Sequence, residues 1–168
     1  MIFTIRKGKH FSNHWFYKLF SSVNIDDRKS YYITFKDTAI YTDETPDRFD
    51  VNKLFGFSIG LHHKNSYRFG WNCLENKIHI YAYCYVNGER VIKDICVVDT
   101  NAEYKFIIKL NKGKCIFSVI DSTYKLNLSI IDIPTKKVFG YELWPYFGGN
   151  KTAPQKIDIE LIKNDVNS

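Results

Sequence analysis

Residues 77–98 read KIHIYAYCYV, then NG, then ERVIKDICVV. Ten residues rich in β-branched and aromatic side chains, an Asn87-Gly88 pair suited to the positive φ of a two-residue turn, and ten more strand formers together spell a β-hairpin. In the first arm Ile78, Ile80, Ala82, Cys84 and Val86 alternate with His79, Tyr81, Tyr83 and Tyr85. A period of two sends each set to its own face, so the aliphatic face is core and the other carries a row of tyrosines and a histidine.

The same grammar repeats outward from this hairpin. Segments 53–61 and 66–74 flank His62-His63-Lys64-Asn65, and segments 104–110 and 115–120 flank Asn111-Lys112-Gly113-Lys114. Segments 31–35 and 38–42 flank Lys36-Asp37 as a tight hairpin, and 124–131, 141–146 and 157–162 complete about ten short strands. Their spacing predicts an all-β, antiparallel β-sandwich of jelly-roll type, with a closed barrel as second choice. Residues 10–22 fit either an edge strand or a short helix, 43–52 are a loop, and 164–168 are a polar tail. No linker or internal repeat divides the 168 residues, so 1–168 reads as one domain.

Composition narrows the class. Hydrophobic residues are 45% and charged residues 25%, which argues against disorder, and no apolar run is long enough for a membrane-spanning helix. Aromatic residues reach 17%, with 13 Phe, 12 Tyr and 3 Trp, a mix that favours sheet. The net charge of +6 suits anionic partners, yet the basic residues are scattered rather than gathered into the stripe of a nucleic-acid binder. Nucleic acid is therefore set aside. Cys73, Cys84, Cys96 and Cys115 show neither C-x-x-C nor zinc-ligand spacing and read as buried free thiols, with a Cys84–Cys96 disulfide as the alternative. The N-terminal MIFTIRKGK lacks the uninterrupted apolar segment of a signal peptide, which leaves a cytoplasmic, phage-borne or mature secreted protein open.

Phase along the strands locates a candidate site. In 66–74 Tyr67, Phe69, Trp71 and Cys73 fall on the core side, and Ser66, Arg68, Gly70 and Asn72 on the other. In 53–61 Leu54, Gly56, Ser58 and Gly60, with His62 beyond, share the polar side. If the three strands pair in order, Ser58, His62, Arg68, Asn72, His79, Tyr81 and Tyr83 share an outer face floored by small residues. Rings beside directional donors suit sugars, because a pyranose stacks its apolar face while its hydroxyls need hydrogen-bond partners. An ordinary solvated sheet face, with tyrosines present for cross-strand packing, accounts for the same pattern. A second aromatic segment, YELWPYFGGN at 141–150, places Trp144 and Tyr146 at a rigid corner beside a Gly148-Gly149 turn.

Taken together, segment 53–71, the tyrosine strand and this corner resemble the layout of concanavalin A-like lectin and glucanase jelly rolls over about residues 50–162. The resemblance implies a sandwich whose concave face binds carbohydrate in many members. The predicted contacts are Arg68, Asn72, His79, Tyr81, Tyr83, Trp144 and Tyr146. The chain is also similar in order to alginate-lyase-type jelly rolls, which carry an arginine strand, a Gln-Ile-His strand and a Tyr-Phe-Lys-Ala-Gly strand. Here Arg68, Lys77-Ile78-His79 and Tyr146-Phe147-Gly148-Gly149 follow in that order. Lys77 replaces the glutamine, Gly148 stands where lysine is expected, and the usual glutamate beside the arginine is absent. That resemblance implies His79 as base, Tyr146 as acid and Arg68 as stabiliser of the enolate charge.

Other chemistry finds little footing. Asp158 and Glu160 read as an exposed edge, Glu142 is a lone carboxylate, and His62-His63 lack a nearby carboxylate or cysteine to complete a metal site. No phosphate loop, nucleophile elbow or zincin motif occurs, and no cofactor or metal is expected. The primary expectation is a non-catalytic carbohydrate-binding or adhesion module whose partner is a glycan, acidic ones included. A polysaccharide lyase acting on uronate-containing glycans is one alternative. The other is a structural protein of a virion or surface assembly, whose aromatic face packs against a homo-oligomer or assembly partner.

Overall fold

A computed structural model describes residues 1–14, 21–22, 28–42, 45–133 and 139–164. The strands are β1 (Ile2–Ile5), β2 (Ser21–Ser22), β3 (Arg28–Phe35), β4 (Asn52–Ile59), β5 (Ser66–Leu74), β6 (Lys77–Val86), β7 (Glu89–Val98), β8 (Glu103–Asn111), β9 (Lys114–Ile120), β10 (Leu126–Asp132), β11 (Phe139–Leu143) and β12 (Ile157–Lys163). They form two sheets, β1-β12-β3-β8-β9-β10 and β2-β11-β4-β5-β6-β7, and every pairing is antiparallel. This is the all-β jelly-roll sandwich that the strand spacing implies. The undecided stretch 10–22 lies partly outside the described residues, as does the tail beyond 164.

The core forms where the inward phases of the two sheets meet. Tyr67, Phe69 and Trp71 of β5 are fully buried, as are Phe106 of β8 and Phe117 of β9. Phe69 bridges the layers, with its ring centroid 5.0 Å from Phe106, 5.1 Å from Phe117 and 5.3 Å from Phe55. Edge-to-face contacts of this kind add to the area buried by each ring. All four cysteines are free, and Cys84 lies opposite Val91 while Cys96 lies opposite Ile80, so the Cys84–Cys96 disulfide alternative has no partner geometry.

Two expected elements differ. The tight hairpin at Lys36-Asp37 is instead a 3-10 turn, Asp37–Ala39, and β3 pairs with β12 and β8. The Asp37 carboxylate accepts hydrogen bonds from Thr100 and Asn101, and Ala39 is buried, so side-chain docking rather than strand return shapes the segment. Asp158 and Glu160 do not lie on an edge, because β1 pairs with β12 on its far side. They face outward from an interior strand and pair with Lys156 and Lys36.

The sheet that carries the candidate site is irregular in one informative place. Between Lys53 and Gly56, β4 carries one residue more than β5 opposite it, a β-bulge, and both Leu54 and Phe55 are buried in the core. The bulge resets the phase. Leu54, expected on the polar side, turns inward, and Lys53 comes to lie opposite Gly70 on the outer face. Gly56 is required here, since a Cβ would sit 2.1 Å from the Tyr67 carbonyl oxygen and 2.6 Å from the Arg68 Cα.

Candidate functional site

The outer face of β4, β5 and β6 is not a solvated sheet face. Every residue of β4 and all but the last of β5 is buried, so both sides of these strands are covered. The outer cover is a small cluster of Val51, Tyr81 and Tyr83 with Tyr85 against it. Gly70 permits it, because a Cβ there would meet the Val51 side chain at 2.4 Å.

A strap laid along the start of β4 supplies one wall. Lys53 and Tyr146 exchange backbone hydrogen bonds, the Gly148 amide donates to the Asn52 carboxamide oxygen at 2.6 Å, and Asn52 in turn donates to the Tyr41 hydroxyl. Tyr146 stacks on His10 with ring centroids 5.1 Å apart. The opposite wall is the β4–β5 turn, where His62 and the Tyr141 hydroxyl are hydrogen-bonded and His63 meets Tyr85 edge-on. Between the walls lies a cleft of about 670 Å³, with Lys53, Arg68 and Tyr83 in it and Arg90 at its side. That volume falls within the range of small-molecule sites.

Cations gather at the deep end of the cleft, with Asp50 and Glu142 also in its lining. The Lys53 ammonium donates to the Gly148 carbonyl at 2.8 Å and lies 4.8 Å from the Tyr83 ring centroid, while the Arg68 guanidinium lies 5.4 Å from the same centroid. Burial, then the neighbouring Arg68, pull Lys53 down to about 8, and Asp50 only partly opposes them. Burial lowers Arg68 as well. His62 is held below its ordinary value by burial and by His63 and Arg68, which keeps it neutral at neutral pH. Burial and the hydrogen bond with Tyr85 push Tyr83 up to about 12. The carboxylate of Glu142, at the cleft margin, is engaged by Lys29 at 2.5 Å.

Arg68, Tyr83 and Tyr146 of the sequence-derived set converge on this cleft. Trp144 borders it, but its indole is only 8% exposed and stacks on Phe3 in the core. Asn72, Tyr81 and His79 share the outer face without lining the cleft. The Tyr81 hydroxyl donates to Asn72, which closes that pair on itself. His79 is four residues along β6 from Tyr83, roughly 13 Å at strand rise, so the set His79, Tyr146 and Arg68 is not brought together. Lys53, Tyr141 and Arg90 were not singled out from the sequence. The signal for Lys53 was present: unbroken alternation through NKLFGF would drive a lysine into the core beside Phe55, which a bulge avoids.

Comparison with known proteins places the fold. No protein-family model and no curated protein matches the sequence. By shape, the chain is similar to the alginate lyase from Klebsiella pneumoniae, with a TM-score of 0.65 at 8% identity over 86% of this chain and 64% of that one. It is also similar to alginate lyase AlyC3, with a TM-score of 0.62 at 13% identity over 97% and 74% of the two chains. A functionally unknown protein from Saccharomyces cerevisiae gives 0.59 at 10% identity over 97% and 87%. The chain thus spans just under two-thirds of the Klebsiella enzyme. The shared feature is the jelly-roll sandwich. Among the described residues, no group of three or more His, Cys, Asp or Glu side chains is placed to hold a metal.

The buried lysine gives a pH signature. An unfolded Lys53 titrates near 10.5 and the folded one near 8, so between these values the unfolded chain holds a proton that the folded chain has lost. Stability contributed through this group is therefore lowest below pH 8 and rises toward pH 10.5, by about 3 kcal/mol in all. The groups facing it are Arg68, Arg90, Asp50, Tyr83 and Tyr146. Urea titrations of wild type and Lys53→Met across this window should show the variant gaining on wild type at pH 7 and losing that advantage as pH rises. A stability difference that does not change with pH contradicts a depressed Lys53.

Proposed function

We propose that the protein is a carbohydrate-binding module that holds a glycan in the cleft between Tyr146 and the His62–Tyr141 pair. The carrying observation is the cleft itself, where Tyr83, Tyr85, Tyr141 and Tyr146 stand beside the directional donors Lys53, Arg68 and Arg90. Rings supply stacking surface for pyranose faces, and cationic donors supply the directional partners that sugar oxygens need. The fold shared with two alginate lyases supports a saccharide ligand as analogy only.

Titration of an oligosaccharide panel by calorimetry tests the reading. Tyr146→Ala should weaken binding about tenfold, the scale of one lost stacking contact with its buried area. Leu128→Ser, on the outer face of the other sheet and half exposed, should leave binding unchanged. No saturable binding to any member of the panel would end the proposal.

A second reading, a polysaccharide lyase, is favoured by one specific observation: the hydrogen bond between His62 and the Tyr141 hydroxyl at the cleft wall. In this reading His62 takes the proton alpha to the carboxylate of a uronate. Tyr141 then gives its proton to the departing glycosidic oxygen as the C–O bond breaks and a C=C bond forms. Ultraviolet absorbance from an unsaturated product, abolished by His62→Ala and retained in His79→Ala, would establish it in place of simple binding.

A further inference from the structure

We propose that the deep end of the cleft is an anion subsite, in which Lys53 and Arg68 flank the ring of Tyr83 and take the carboxylate or sulfate of an acidic sugar. This rests on the glycan-binding reading and adds the chemical class of the ligand.

Arg68 is only 8% exposed, and its Nε has no hydrogen-bond partner among the described residues. No carboxylate pairs with it among the described residues. Lys53 is equally buried, and the acceptor it reaches is a neutral carbonyl, that of Gly148. Both lie within 5.4 Å of the centroid of one ring, whose face is electron-rich but carries no charge. Two like charges held together out of water are costly, and apolar residues of similar size would fold more stably in their place. Structural support therefore does not explain the pair.

A ligand anion does. It supplies the acceptor that Arg68 Nε lacks and neutralises both cations in a site with little water to screen them. The nearby acids do not pre-empt it. Glu142 is taken by Lys29, and Asp50, which attracts Lys53, forms no ion pair with it. Access comes from the cleft, which both cations line. The β4 bulge is what delivers Lys53 to this place, since regular pairing would turn its side chain into the core.

The test is calorimetric titration of wild type, Arg68→Gln and Lys53→Met with oligouronates, sulfated oligosaccharides and their carboxyl-reduced or desulfated counterparts. Wild type should bind one acidic series at least about tenfold more tightly than its neutral counterpart, and that series identifies the substituent. Each variant should lose about tenfold of the preference for the acidic series over its neutral counterpart, whatever it does to neutral-sugar affinity. The variants Arg68→Lys and Lys53→Arg, which keep the charge, should retain most of the preference and guard against misfolding. Equal binding of acidic and neutral sugars, still weakened by Tyr146→Ala, overturns the anion subsite and leaves the glycan reading standing. Absence of binding to every saccharide overturns both.

Discussion

Gly56→Ala is expected to remove a large part of the chain's stability. The added methyl would lie 2.1 Å from the Tyr67 carbonyl oxygen, 2.6 Å from the Arg68 Cα and 2.9 Å from the Tyr67 carbonyl carbon. All three are backbone atoms of the neighbouring strand, so no side-chain rotation relieves the clash. Strand β4 would have to withdraw from β5 where Gly56 pairs with Arg68 and Phe57 with Tyr67, near the middle of its sheet. A loss of at least about 4 kcal/mol follows, a large part of the roughly 5–15 kcal/mol that holds a typical domain folded. Urea denaturation followed by far-ultraviolet circular dichroism measures it. A loss below about 1 kcal/mol would mean that β4 and β5 do not approach as described.

The second large effect is expected of Phe69→Ala. Phe69 is fully buried at the centre of the sandwich and touches rings from both sheets: Phe55 on its own side, Phe106 and Phe117 on the other. Its removal forfeits the transfer energy of the ring and leaves a cavity that three rigid aromatic neighbours collapse into poorly, about 3–5 kcal/mol in total. Near-ultraviolet circular dichroism should lose intensity along with the stability. Leu128→Ala, at a half-exposed position of β10, should change stability by no more than about 0.5 kcal/mol. Similar losses at the two positions would contradict a core centred on Phe69.

Fold class was legible because its signal is local and repeated. The Asn87-Gly88 turn, the alternation of β5 and β6, and the spacing of short strands each point to antiparallel sheet, and the pairing of β4, β5, β6 and β7 in chain order bears them out. The outward phase of Arg68 and Tyr83 was legible for the same reason. What alternation cannot express is its own interruption. One extra residue in β4 moved Leu54 inward and Lys53 outward, and with Lys53 went one of the three cations of the cleft.

Depth along a strand was the second blind spot. His79, Tyr81 and Tyr83 share a face, and phase alone makes them equivalent. The strap at 144–150 and the β4–β5 turn close over the Tyr83 end of β6 and leave His79 away from the cleft. Those closures depend on long-range contacts, Asn52 with Gly148 and His62 with Tyr141, that no local pattern encodes. Trp144 misled for a related reason. A ring at a corner can face either way, and here stacking on Phe3 turns it into the core.

Amide chemical-shift mapping during titration with the tightest-binding acidic oligosaccharide tests the central claim most directly, because it reports location as well as affinity. The predicted result is saturable shifts centred on Lys53, Arg68, Tyr83, Tyr141 and Gly148, with Leu126, Leu128 and Ile130 on the opposite sheet unmoved. Shifts centred on the outer face of β10, or on the closed Asn72–Tyr81 pair beside His79, would contradict the cleft as the binding site.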